Sequence, residues 1–393
     1  MPQQGKGSEK PERSAWEEAL LGCSLREAPR LVPGVVLAMA LVVFAILITN
    51  SINQLLGFRS LVSHIMMAII VGLLVANTVG VPRACQPGAR FCLGKLLRLG
   101  IILMGIRLSV FAAARIGAWG VPIVTLCIAS GLLATLLFTR WLKLSHRLGI
   151  LIAVGTSICG ASAIVATGPG IEAKDEEVAY AVANITVFGI AAMLLYPYLA
   201  NVLFAGNTIM AGLFQGTSIH ETAQVTGASL IYDQAFHVVT MPTAADVAIV
   251  TKLVRNVFMA LVIPLVIFIY RRRGDGSSSS SNQKVSIIKL VPLFIMGFVI
   301  MAALRSVGDA GIQSGSGAFG LWSPEQWQMM TGSVVSFSGY ILAVAMAGVG
   351  LGTNLASLRR LGIKPFFIGL ISATIVGVVS VISVLILGPH VRF

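Results

Sequence analysis

The sequence predicts an all-α membrane protein with about eleven transmembrane helices. Of its 393 residues, 56% are hydrophobic and only 11% are charged, whereas soluble chains carry about 25% charged residues. The hydrophobic residues also fall into windows of about 20 to 28 residues, the length that a tilted helix needs to cross a bilayer. This composition excludes a soluble enzyme, a disordered protein and a disulfide-rich scaffold.

The predicted spans follow one another along most of the chain. They cover residues 31–50, 61–80, 93–114, 118–139, 148–168, 177–204, 207–229, 243–270, 286–305, 328–355 and 365–388. Residues 1–30 are polar and contain no short apolar core before a small-residue cleavage site, so we expect a cytoplasmic tail and not a signal peptide.

The charge distribution predicts the orientation of the spans. The chain carries 28 Lys and Arg against 15 Asp and Glu, a formal net charge of +13. If the N-terminus is cytoplasmic, 19 of the 28 cations fall in cytoplasmic segments, 5 in outer segments and 4 within spans. This asymmetry follows the positive-inside rule. It predicts a cytoplasmic N-terminus and an outer C-terminus, and it explains the basic character without a nucleic-acid partner.

An internal repeat is indicated by two similar motifs and two interrupted spans. KLLR at 95–98 in span 3 matches KLVR at 252–255 in span 8, five spans later and therefore in the opposite orientation. Spans 5 and 10 each contain a glycine-rich interruption, at 155–162 and 348–354. We predict an extra first span (31–60), two inverted five-helix repeats (61–204 and 205–393) and a serine-rich cytoplasmic linker (274–285). The alternative is that the glycines only allow close helix packing.

The interrupted spans and the buried cations predict a binding site. Unwound backbone at membrane depth must line a cavity or hold a ligand, and matching breaks in two halves are typical of transporters. The spans contain four cations but only the carboxylates of Glu221 and Asp246, and this excess predicts a permeating anion. Arg98 is instead expected to reach the cytoplasmic interface. The candidate substrate-binding residues are Arg107, Thr156, Ser157, Cys159, Ser162, Lys252, Arg255, Asn256, Thr353 and Asn354.

Span 7 carries the candidate coupling residues Ser218, His220, Glu221 and Gln224. A His–Glu pair can take up and release a proton near neutral pH, although an interhelical hydrogen-bond network is the alternative. Glu221 could equally pair with Arg107. Gln224 stands where a zinc protease has its second histidine, so we expect no metal site. Nucleotide-binding and Rossmann motifs are absent from the sequence, and we expect no cofactor.

Four segments together resemble the YeiH-type sulfate exporter family. They are LLRLGIILMGIRL at 96–108, GTSICGASAI at 155–164, SIHETAQV at 218–225 and AMAGVGLGTNL at 345–355. The resemblance covers roughly residues 35–390. It implies a secondary transporter of the bacterial inner membrane for a sulfur oxyanion. It also implies kinship with bile-acid symporters and sodium/proton antiporters, in which two broken helices cross at the midplane.

We therefore expect a secondary transporter that exports a small inorganic anion, such as sulfate or sulfite, by alternating access. The anion would bind between the breaks of spans 5 and 10, and H⁺ or Na⁺ would be the coupling ion. The alternatives are a Na⁺/H⁺ antiporter that uses Glu221, a sodium-coupled organic-anion symporter, and an intramembrane enzyme that uses Cys159 or His220. The bilayer is the expected environment, and the oligomeric state, including a homodimer, stays open.

Overall fold

The computed structural model describes residues 25–56, 62–272, 292–354 and 363–391. These residues are helical apart from short connections and one isolated bridge between Ala318 and Trp322. Most of the N-terminal tail, including Cys23, and the serine-rich linker lie outside the described residues.

The described residues form fifteen α-helices, which are numbered here in chain order. They are α1 (Val32–Leu56), α2 (His64–Thr78), α3 (Gln86–Phe91), α4 (Leu97–Met104), α5 (Val110–Trp141), α6 (His146–Ser157), α7 (Ala161–Thr167), α8 (Asp175–Leu203), α9 (Thr208–Ser218), α10 (Thr222–Ala235), α11 (Ala244–Val257), α12 (Met259–Arg272), α13 (Leu293–Gln313), α14 (Pro324–Gly352) and α15 (Ile363–Leu387). Within the described ranges, seven helical stretches are long and apolar enough to cross a membrane. They are Glu27–Leu55, Val110–Trp141, Asp175–Leu203, Ala244–Arg272, Leu293–Gln313, Pro324–Gly352 and Ile363–His390.

The boundary between predicted spans 3 and 4 lies earlier in the chain than predicted. Helices α3 and α4 are joined by a π-helical turn, and a 3₁₀ turn at Gly105–Arg107 ends the stretch. Helix α5 then begins at Val110, because the Ser109 side chain accepts a hydrogen bond from the Ala112 N–H and caps the helix. Arg115, which was expected in an outer loop, therefore lies within α5.

Predicted span 5 is a re-entrant hairpin and does not cross the bundle. The Ser145 hydroxyl, just before α6, donates to Glu177 Oε1 in the first turn of α8 at 2.6 Å. After α7 the chain lies again at the end of the bundle where α6 began. Arg271 Nε donates to the Gly170 carbonyl at 3.4 Å, and the neighbouring Tyr270 accepts from Arg147 near the start of α6. We call residues 146–171 hairpin 1 and the end of the bundle where it opens the Tyr270 end.

Predicted span 7 is a second hairpin, which opens at the opposite end. Helix α8 leads away from the Tyr270 end, and the Tyr232 hydroxyl of α10 donates to Asn201 Oδ1 near the last turn of α8 at 3.5 Å. The Thr208 hydroxyl at the start of α9 donates to the Pro242 carbonyl, which follows α10, at 3.4 Å. Both arms of residues 208–235, here hairpin 2, therefore begin and end at what we call the Asn201 end.

The two hairpins correct the predicted topology at one pair of loops. The acidic residues at 172–177 lie at the Tyr270 end, beside Arg147 and Arg271, and not at the opposite end as predicted. Each hairpin removes one membrane crossing from the predicted number. Because two crossings are removed in all, the loops after hairpin 2 keep their predicted sides. The predicted orientation of the termini is unaffected by this correction and stays a prediction.

The predicted break in span 10 is wrong. Helix α14 is continuous from Pro324 to Gly352, and its glycines serve helix packing. A Cβ atom at Gly350 would lie 2.4 Å from the Ile69 carbonyl of α2, and one at Gly348 would lie 2.7 Å from Cys92 Cβ. Predicted spans 5 and 7 both reverse direction at an interruption, whereas span 10 does not, so the predicted pairing of spans 5 and 10 as repeat partners is not observed.

The helices pack in two groups. In the scaffold group, α14 packs against α1, α2, α3 and α4, and α13 packs against α4. The hairpin group consists of the two hairpins and the helices that pack around them, which are α5, α8, α11, α12 and α15. The groups meet where α10 contacts α2 and α14, and where α5 contacts α13. Both hairpins consequently belong to one group, and hairpin 2 contacts the other group through α10.

Candidate functional site

The tips of the two hairpins meet beside α11. The tip of hairpin 1 is formed by residues 158–160, where Gly160 has a φ of 70°, and the tip of hairpin 2 by residues 219–221. Lys252 and Arg255 lie three residues apart on α11 and so share one face of the helix. Both side chains are fully buried at the meeting point.

Lys252 joins the two tips through its ammonium group. Its Nζ donates to the Ile158 carbonyl at 3.2 Å, to the Ile219 carbonyl at 3.0 Å and to the His220 carbonyl. An ammonium has three N–H donors, so the backbone of the two hairpins uses all of them.

Arg255 holds the carbonyl ends of both entering arms. Its Nε donates to the Ser157 carbonyl at 2.9 Å and its Nη2 to the Thr156 carbonyl, at the end of α6. Its Nη1 donates to the carbonyls of Thr217 at 2.7 Å and Ile219 at 3.0 Å, at the end of α9. The last carbonyls of a helix lack partners within it and carry partial negative charge. The two cations therefore supply hydrogen-bond donors to the carbonyls at two buried helix ends.

The hairpin tips also contact each other directly. His220 Nδ1 lies 3.1 Å from the Thr156 carbonyl, and Glu221 Oε1 accepts a hydrogen bond from the Ala161 N–H at 3.4 Å. A Cβ atom at Gly160 would lie 2.3 Å from Glu221 Cγ, so the glutamate side chain rests on the tip of hairpin 1. The two members of the predicted His–Glu pair thus engage different arms of hairpin 1.

Gln224 fixes the start of α10. Its Oε1 accepts from the Glu221 N–H at 3.2 Å, and its Nε2 donates to the Thr186 carbonyl of α8 at 3.3 Å. A Cβ atom at Gly189 would lie 1.9 Å from Gln224 Oε1, so the amide lies directly against the α8 backbone. Gln224 therefore positions the tip of hairpin 2 through α8.

Four polar side chains near the tips, three of them at least partly accessible, lie beyond these buried contacts. Ser162 is exposed, and Glu221 and Thr222 are half-buried. Asn256 is only 2% exposed, its Nδ2 donates to Thr222 Oγ1 at 3.3 Å, and its Oδ1 has no hydrogen-bond partner among the described residues. We call Ser162, Glu221, Thr222 and Asn256 the tip site. Thr222 was not singled out from the sequence, although its hydroxyl and its place beside Glu221 in a polar span pointed to it.

Three other predicted residues turn away from the tip site. A Cβ atom at Gly131 of α5 would lie 2.5 Å from Ser157 Oγ, so this hydroxyl faces α5. Cys159 Sγ lies 3.3 Å from Met259 Sδ in α12. The Ser218 hydroxyl donates to the Phe214 carbonyl within its own helix at 2.5 Å. In this structure, these side chains serve helix packing.

Thr353 and Asn354 do not join the hairpin tips. The Thr353 hydroxyl donates to the Val349 carbonyl at 2.8 Å, and its carbonyl accepts from Asn77 Nδ2 of α2 at 2.9 Å. Asn354 follows it and is exposed. Because α14 is unbroken, this segment belongs to the scaffold group.

Arg107 pairs with Asp246 and not with Glu221. Its Nε lies 3.0 Å from Asp246 Oδ1, at the start of α11. A further carboxylate, Asp233, accepts hydrogen bonds from the N–H groups of Ala244 at 3.0 Å and Ala245 at 3.1 Å. Asp233 lies beyond the predicted end of span 7 and was therefore missed. Both carboxylates stabilise the N-terminus of α11.

The described part of the chain contains no group of three or more His, Cys, Asp or Glu side chains that could hold a metal ion. Arg98 is exposed on α4, and its position at the cytoplasmic interface stays a prediction.

Comparison with known proteins links the chain to a family of membrane proteins. The sequence pattern of the family described as "Conserved hypothetical protein 698" matches residues 33–369. A UPF0324 membrane protein of Bacillus cereus is 34% identical over 334 residues, which cover 85% of this chain and 86% of the relative. One from Pseudomonas aeruginosa is 34% identical over 353 residues, covering 88% and 91%. The UPF0324 inner membrane protein YeiH of Escherichia coli is 32% identical over 315 residues, covering 79% and 81%.

Proposed function

Because the chain belongs to the UPF0324 family of membrane proteins, we propose that it is a secondary transporter of a small inorganic anion. The tip site is its binding site, and alternating access exposes this site to each side of the membrane in turn. The observation that carries the proposal is the meeting of two re-entrant hairpins from opposite ends of the bundle. Non-helical backbone at membrane depth is tolerated where it is buried in protein or lines an aqueous cavity, and discontinuous helices of this kind form transporter binding sites.

The charge at the tips supports an anion as the substrate. Lys252 and Arg255 place two positive charges there against one carboxylate, that of Glu221. Although the backbone uses their hydrogen-bond donors, their charge still acts over the short distance to the tip site in a medium of low dielectric constant. The N-terminus of α10 adds a partial positive charge. A bound monovalent anion would balance the remaining charge.

We further propose a sulfur oxyanion, sulfate or sulfite, as the substrate and the inner membrane as the location. Export is the proposed direction, and H⁺ exchanged through Glu221 and His220, or Na⁺, is the proposed coupling ion. No cofactor enters this scheme. These assignments rest on the family resemblance and on the polar chemistry of the tips.

A second candidate is Na⁺/H⁺ antiport, with Glu221 as the carrier. The observation that favours it is the half-buried Glu221 carboxylate at the meeting point of two discontinuous helices. A sodium-coupled organic-anion symporter would use the same carboxylate. Exchange of Na⁺ for H⁺ that is independent of any anion would support the antiporter.

The test is uptake of labelled sulfate and sulfite into proteoliposomes, with and without a pH gradient. We expect the wild-type protein to accumulate at least one of the two anions, and we expect at least a tenfold loss of that accumulation in Thr222→Val, which removes a hydroxyl of the tip site. The matched control is Thr125→Val, since this exposed hydroxyl of α5 donates only to the Val121 carbonyl of its own helix, at 2.8 Å. Absence of anion uptake by the folded wild-type protein would overturn the proposal.

A further inference from the structure

We infer that the tip site selects an oxyanion that still carries a proton, such as hydrogensulfite or hydrogencarbonate, over a fully deprotonated dianion such as sulfate. This inference rests on the proposed function of the tip site. It concerns which anions can satisfy the hydrogen-bonding groups that the two hairpins and α11 present.

The first of these groups is the Glu221 carboxylate. An ionised carboxylate only accepts hydrogen bonds, and its two oxygens offer about four acceptor positions. The hydrogen bond that ties it to hairpin 1 comes from the Ala161 N–H to Oε1, at 3.4 Å. Glu221 is half-buried. Its carboxylate can therefore accept further hydrogen bonds from a solute that reaches the tips.

The second group is the amide oxygen of Asn256. This side chain is almost fully buried, and its Nδ2 is committed to Thr222 Oγ1 at 3.3 Å. Its Oδ1 has no hydrogen-bond partner among the described residues. A buried acceptor without a donor is costly, so a ligand that supplies an O–H group here gains free energy that a pure acceptor cannot.

Each hairpin contributes a hydroxyl near its tip that can donate to the negative oxygens of the ligand. The Thr222 hydroxyl accepts from Asn256 and so has its own proton to donate. The exposed Ser162 hydroxyl of hairpin 1 is a second donor. Lys252 and Arg255 supply positive charge from behind the tips. The tip site thus combines acceptors and donors under a modest positive potential.

A monovalent, protonated oxyanion fits this combination. Its O–H donates to Glu221 or Asn256, and its other oxygens accept from the two hydroxyls. Sulfate has no proton to donate near neutral pH, so its oxygens would face both acceptors and its double charge would be repelled by Glu221. Sites built to hydrogen-bond a hydroxyl reject analogues that lack it by large factors. Glu221 and Asn256 are therefore the specificity-determining residues.

The wild-type protein provides the first test. In proteoliposomes, we expect the initial uptake of labelled sulfite across a pH series to follow the concentration of hydrogensulfite, and to exceed that of sulfate by at least about 100-fold. Hydrogencarbonate should compete with labelled sulfite, and sulfate should not. Sulfate uptake as fast as sulfite uptake would overturn the inference while leaving the proposed transporter intact. Uptake of neither anion would overturn the proposed function itself.

The variant Glu221→Gln provides the second test, because glutamine keeps the size and supplies an N–H donor. We expect the preference for hydrogensulfite over sulfate to shrink at least tenfold, through faster sulfate uptake. The matched control is Glu176→Gln, at an exposed position in the first turn of α8, and its preference should equal that of the wild type. Equal losses of both anions in Glu221→Gln would contradict the inference. If this variant does not fold, the competition measurements on the wild-type protein still test the inference.

Discussion

Arg107 and Asp246 form an ion pair of 3.0 Å that ties the scaffold group to the hairpin group. It lies near the Asn201 end, where the Ile65 N–H of α2 also donates to Gln234 Oε1 of α10 at 3.3 Å. Both contacts join helices of different groups. In this structure, polar contacts therefore hold the Asn201 end of the boundary closed.

Arg107→Gln should lower the free energy of unfolding by about 3 kcal/mol, because it leaves the Asp246 carboxylate buried without its counter-charge. This is the lower part of the usual range, since the Arg107 side chain is 17% exposed and that of Asp246 only 1%. Thermal and denaturant unfolding of the purified protein would measure it. In the control Arg305→Gln, the lost pair with Asp309 is about one-third exposed on both sides, so the change should stay below about 1 kcal/mol. Equal effects at both sites would contradict the assignment.

The hairpins predict a distinctive labelling pattern. Cysteines introduced at Val202 and Val239, which are 78% and 89% exposed, should react with a membrane-impermeant thiol reagent from the same side. Cysteines at Glu172 and Glu176 should react from the other side. The native cysteines are first replaced, and labelling of intact and of opened vesicles gives the sidedness. A transmembrane span at 207–229 would instead place Val202 and Val239 on opposite sides.

Gly160→Ala should destabilise the protein by about 1–3 kcal/mol, because Gly160 adopts a φ of 70° and its Cβ would meet Glu221 Cγ at 2.3 Å. Gly339→Ala is the control. A Cβ at Gly339, within α14, meets nothing within 4 Å, so this variant should be stabilised by about 0.4–1 kcal/mol. Both variants would be compared by thermal unfolding. A neutral Gly160→Ala would show that the tips do not require this backbone conformation.

Arg255→Lys should destabilise both hairpins although it preserves the charge. A single ammonium cannot reach carbonyls at the ends of both α6 and α9 as the guanidinium does, and each buried carbonyl left without a donor costs about 1–3 kcal/mol. Limited proteolysis should then cut within 146–171 or 208–235 first. Lys364→Arg, an exposed exchange on α15, should leave the pattern unchanged, and an unchanged pattern in Arg255→Lys would contradict the prediction.

The sequence identified the centre of the molecule more successfully than its topology. The cost of ionisable groups at membrane depth pointed to Glu221, Lys252 and Arg255, and all three meet at the hairpin tips. Hydropathy reports only the length and the apolar character of a segment, so it cannot distinguish a re-entrant hairpin from a membrane-spanning helix. Glycine runs are equally ambiguous: those of 155–160 include a real break, whereas Gly348 and Gly350 pack an unbroken helix. Residues far apart in the chain, such as Arg107 and Asp246, could not be paired without the fold.

The contacts of Lys252 and Arg255 have a mechanical consequence. Seven hydrogen bonds from one turn of α11 fasten the inner ends of two hairpins that enter from opposite ends of the bundle. Because of these hydrogen bonds, a displacement of either tip is coupled to α11 and, through α11, to the other tip. Spreading the hairpins apart would break these bonds together, whereas moving the whole unit along the scaffold breaks none of them. The two tips and α11 are therefore joined as one hydrogen-bonded unit, which contacts the scaffold helices α2 and α14 through α10.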